Sequence, residues 1–95
     1  MKFRRKQDVE VAPLKGELLV FNAEAKKFYV MNKTAAFLWD QLDRPVELET
    51  LSSLLCGAFQ GISPEQALLD VEATVVQMDQ LGLLVKEGLV QPSGS

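Results

Sequence analysis

The chain has 95 residues, 47% of them apolar, with 10 Lys and Arg against 13 Asp and Glu for a net charge of −3, and no His. That length supports one hydrophobic core, because a second would bury too little surface to offset the entropy of ordering it. No apolar run is long enough to span a bilayer, no hydrophobic block follows the basic start MKFRRK, and the single cysteine, Cys56, excludes an internal disulfide and a cysteine-based metal cluster.

These limits set the expectation of a soluble, cytoplasmic protein in a reducing compartment. Its expected parts are a flexible basic tail at 1–7, one domain at 8–88 and a flexible tail at 89–95. Charge is unevenly placed. From Pro45 to Val85 there is no Lys or Arg, whereas Glu47, Glu49, Glu65, Asp70, Glu72 and Asp79 all fall there. Helices in that half would repel a phosphate backbone.

Val9 and Val11 alternate with polar neighbours and suit a first short strand. Gly16 to Asn22 (GELLVFN) and Lys26 to Met31 (KKFYVM) are rich in β-branched and aromatic residues, and the AEA between them is a hairpin connection. In the second arm four apolar residues run consecutively, more than a strand with one buried face requires, so alternation does not say which face meets the core.

Asn32 is a good helix cap, and Ala35, Leu38, Trp39 and Leu42 recur at helical spacing until Asp43-Arg44-Pro45. Leu48, Leu51, Leu55 and Ala58 repeat the stripe for a second helix, with Gly57 and Gly61 letting the chain turn. Ser63-Pro64-Glu65-Gln66 then combines a Ser cap, proline at the first helical position, an early acid and the Gln of a capping box. Leu68, Val71, Val75 and Met78 form the inner stripe of this third helix. Gly82 follows its end, and Leu83 to Val85 form a last extended piece. The fold class is α+β, winged helix-turn-helix-like: an N-terminal three-stranded antiparallel sheet followed by three helices.

The succession ELLVFNAEAKKFYVMNKTAAFLW, then Leu42-Asp43, Asp70-Val71 and LGLLV at 81–85, resembles the PqqD-like family, the RiPP precursor-peptide recognition elements. The resemblance runs from about Val9 to Lys86. Its most specific part is MNKTAAFLW, similar to the family's Leu-Asn-x-Thr-Gly-Ala followed by an aromatic or aliphatic anchor. Ala35 stands where Gly is common and Thr74 where a large apolar residue is common; the second departure bears on the choice of peptide more than on the fold.

The resemblance implies a domain without catalysis that holds the leader segment of a ribosomally made precursor peptide. The leader would lie as an added strand against Lys26 to Met31, in a groove closed by the third helix, and would be presented to a modifying enzyme such as a radical SAM enzyme, a cyclase or a peptidase. The residues expected to bind it are Lys26, Lys27, Phe28, Tyr29, Val30 and Met31 on the strand, with Asp70, Thr74, Met78 and Leu81 on the helix.

Each reading has a plainer alternative. Phe28, Tyr29 and Val30 also suit a strand buried in the core or in a homodimer, and Lys26 and Lys27 also suit a guard against edge-to-edge pairing. Trp39 and Cys56 sit on or beside inner stripes and are expected in the core. With no His, no phosphate-cradling glycine loop and no metal-ligand spacing, no catalytic residue, metal or cofactor is expected. The alternative function is a winged-helix nucleic-acid-binding regulator. Residues 63–82 carry no Lys or Arg to support it.

Overall fold

The computed structural model describes residues 1–87. The first strand, β1 (Lys2–Arg5), is followed by a meander of β2 (Val9–Leu14), β3 (Glu17–Asn22) and β4 (Lys27–Met31). Helix α1 (Lys33–Gln41), a two-residue β5 (Val46–Glu47), α2 (Leu48–Ala58), α3 (Pro64–Gln80) and β6 (Leu84–Glu87) complete the order. The meander is an antiparallel sheet in the order β2-β3-β4, and a second antiparallel sheet has the order β5-β1-β6. The α+β, winged helix-turn-helix-like arrangement of an N-terminal sheet followed by three helices is therefore present.

The second sheet corrects one expectation. Residues 2–5, read as part of a flexible tail, form the central strand of that sheet, with Phe3 opposite both Val46 and Lys86. Two further backbone bonds, Arg5 N–H to the Leu42 carbonyl and Lys6 N–H to the Leu83 carbonyl (both 2.9 Å), carry the pairing past the strand. The Arg5 guanidinium donates to the Trp39 carbonyl at 2.9 Å and stands 5.7 Å from the Trp39 ring. The tail expected at 89–95 lies outside the described residues.

Local chemistry explains each boundary. Between β2 and β3 the turn at Lys15-Gly16 closes on Gly16 at φ +70°, and a Cβ there would come within 2.8 Å of the Lys33 side chain. Asn32 caps α1 by accepting from Ala35 N–H at 2.9 Å, and Ser63 caps α3 by accepting from Gln66 N–H at 3.1 Å. The reciprocal arm of the expected capping box is not made. Gln66 instead donates to Asp70 at 2.8 Å, one turn further along the helix. Helix α3 ends in a Schellman motif: Gly82 N–H donates to the Asp79 carbonyl and Leu83 N–H to the Met78 carbonyl, both at 3.0 Å, with Gly82 at φ +75°.

The core lies between the meander and the helices. Val20 and Met31 come from the sheet, Leu38, Trp39 and Leu42 from α1 and its end, Leu51 and Leu55 from α2, and Ala67, Val71, Val75 and Met78 from α3. Leu83 and Leu84 close it from the second sheet's side. Phe37 and Phe59 meet edge-to-face at 5.6 Å between α1 and the end of α2. Cys56 is half-buried against this core, with its thiol directed at the Ile62 carbonyl.

Candidate functional site

Strand β4 pairs with β3 alone among the described residues, so its far side is a sheet edge. Alternate N–H and C=O groups along such an edge point outward without a ladder partner. Beside this edge is a groove of about 510 Å³, bordered by Val30 and Met31 of β4, by Asn32, Thr34 and Ala35 at the start of α1, and by residues of α3 on the opposite wall. That volume falls in the range of pockets that hold ligands.

Two connections fix the distance between the walls. At one end β4 passes into α1 through the capping residue Asn32. At the other, Asn22 is the pin. It is buried, and its side-chain oxygen accepts from the amides of Glu24 and Ala25 (3.0 and 3.3 Å), which shapes the β3–β4 turn. Its side-chain nitrogen donates to the Leu81 carbonyl at 3.2 Å. Because Asn22 stands opposite Lys27, β4 begins where α3 ends.

The helix wall presents Asp70, Ala73, Thr74, Gln77, Met78 and Leu81. Small residues on both sides, Ala35, Ala73 and Thr74, keep the space open. Of the helix residues, Met78 is buried and forms the base of the wall. Asp70 is held by Gln66, while Glu17 stands at the same end of the groove as Asn32 and Thr34. At the far end of β4, Lys26 and Lys27 are exposed, Lys26 in the turn at φ +56°.

The structure divides the residues proposed from the sequence. Val30, Met31, Asp70, Thr74, Met78 and Leu81 border one groove. Lys26, Lys27, Phe28 and Tyr29 do not, although all but Lys26 lie on the edge strand itself. The sheet register settles which face meets the core. Tyr29 and Met31 lie opposite Val20 and Leu18 on the inner face, whereas Phe28 and Val30 lie opposite Phe21 and Leu19 on the outer one. The sequence reading missed Glu17, Thr34, Ala35, Ala73 and Gln77 as groove residues, and took Asn32, which also borders it, only as a helix cap. A helical projection of α3 widened by one position before Thr74 and Met78 finds Ala73 and Gln77, while Glu17 and Thr34 reach the groove only through the chain's tertiary course.

A family model described as coenzyme PQQ synthesis protein D (PqqD) matches residues 17–84, which span the meander's last two strands and all three helices. The chain belongs to the PqqD family. No curated protein matches it. Two solved structures share the PqqD-family fold seen here. One, described as TbiB1 in complex with the TbiA(beta) leader peptide, has a TM-score of 0.78 at 12% identity over 90% of this chain and 98% of that one. The other, a lasso peptide synthetase B1 complexed with the leader peptide, has a TM-score of 0.75 at 17% identity over 90% of this chain and all (100%) of that one. At these identities the likeness is one of fold.

Proposed function

We propose that this chain is a non-catalytic recognition module that binds the leader segment of a ribosomally made precursor peptide. The leader adds as a strand to β4, and the complex is presented to a peptide-modifying enzyme. The observation that carries the reading is the open edge of β4 beside a groove of mixed polar and apolar lining whose other wall is α3. Family membership supports it, as do the two structures of the same fold, each described as bound to a leader peptide. Among the described residues there is no group of three or more metal-ligating side chains, and the residues lining the groove include neither His nor Cys.

Energetics say what the groove must supply. About four strand hydrogen bonds contribute roughly 0.5 to 1.5 kcal/mol each, or about 2 to 6 kcal/mol, whereas micromolar affinity needs about 8 kcal/mol. Backbone pairing alone falls short. A leader side chain of Leu size buried between Met31, Ala35, Thr74 and Met78 adds about 1.5 to 3 kcal/mol. The position of Thr74 fits this need, since a large residue there would occupy the space an anchor fills.

Calorimetric titration with the leader segment of a precursor peptide encoded beside this chain's gene tests the reading. One-to-one binding is expected, and Thr74→Trp, which fills the groove from a half-buried helix position, weakens it at least tenfold while leaving the melting temperature nearly unchanged. Unaltered affinity in a folded Thr74→Trp variant would sink the groove as the site.

A further inference from the structure

The reverse of the edge strand is unusual for a solvated sheet face. Phe28 is 66% exposed and Val30 61% exposed, both on the face of β4 opposite to Tyr29 and Met31, with Val30 also at the rim of the groove. A sheet with one wet face ordinarily carries polar residues there, and an edge strand especially so. Here the outer face is apolar toward β4: Phe21 and Phe28 stack with ring centroids 4.7 Å apart, and Leu19 lies opposite Val30. The other edge, β2, places Glu10, Ala12 and Leu14 opposite Phe21, Leu19 and Glu17. The largest exposed apolar pair of this face, Phe28 and Val30, stands on the edge beside the groove, where a strand would add.

Resting on the leader-binding reading, we infer that the guest peptide is read on both of its faces. Its inward side chains enter the groove beside α3, and its outward side chains pair across the strand with Phe28 and Val30. This follows from pleating, because residues directly opposite on neighbouring strands lie on the same side of a sheet and successive residues on opposite sides. A guest hydrogen-bonded to β4 must set every second side chain next to Phe28 or Val30. Those two are large, apolar and have free surface toward it. The substrate class is therefore an extended peptide with apolar residues at consecutive positions, rather than one whose apolar residues alternate with polar ones. The four-residue apolar run of β4 then has a use on each face.

Selection from a library of displayed, randomised twelve-residue peptides tests this against the whole protein and against a Phe28→Thr/Val30→Thr variant, which keeps strand propensity. The unmodified protein should enrich peptides with three or more consecutive apolar residues, while the variant should enrich alternating ones. Peptides selected on the former should bind the variant about tenfold more weakly, equivalent to about 1.4 kcal/mol. Alternating apolar residues selected by both proteins, with binding that slows exchange of the β4 amides, would overturn two-faced reading and leave leader binding intact. No enrichment on either protein would overturn both. Peptide-free dimers that the double substitution dissolves would assign the outer stripe to a second copy of the chain instead.

Discussion

Asn22 joins three backbone groups from two distant parts of the chain: the amides of Glu24 and Ala25 in its own turn, and the Leu81 carbonyl at the end of α3. The residue itself is 5% exposed, while the turn amides it holds belong to exposed residues. Asn22→Ala strands one carbonyl and two turn amides, and at about 1 kcal/mol for each lost bond it should destabilise the fold by about 2 to 3 kcal/mol. For a domain of this size the melting temperature falls by about 10 to 15 °C, read by circular dichroism. A fall of less than about 3 °C would show that the pin does not hold the two ends together. Asn22→Asp keeps the acceptor but not the donor, and belongs between the two.

At the scale of elements, the second sheet rests on β1. Among the described residues it is the only strand that touches both β5 and β6, and its continuation ties to Leu42 and Leu83. Removing residues 1–6 takes away both ladders together with the Arg5 contacts on Trp39. A loss of more than about 3 kcal/mol is expected in urea unfolding, where removal of a free tail would leave the midpoint unchanged. The sequence hid this strand for a physical reason. Phe3 is the one large apolar residue in KFRR, and the partners of β1 lie some forty and eighty positions away, so no local periodicity records the pairing. The helices were legible because their signals are local: Asn32, Ser63 and Gly82 act within a turn of themselves. The groove was half legible. The α3 stripe placed Met78 facing inward and Thr74 beside it, but which face of β4 meets the core depends on register with β3, which a run of four apolar residues does not encode.

Across the whole molecule, charge and topology point the same way. In a helix-turn-helix reading, α3 would enter a nucleic-acid groove, yet the chain has no Lys or Arg from Pro45 to Val85 and α3 carries Glu65, Asp70, Glu72 and Asp79. The face that a DNA-binding domain would make basic is acidic here, and the proposed guest lies beside it on an apolar floor. The central claim is that the free edge of β4 accepts a peptide strand, and amide hydrogen exchange tests it most directly. In the complex with the precursor leader, alternate amides within Lys27–Met31 should exchange at least tenfold more slowly than in the free protein, while those of α2 keep their rates. Saturating leader that leaves the β4 amides at their free rates, or protects α2 in their place, would contradict the account.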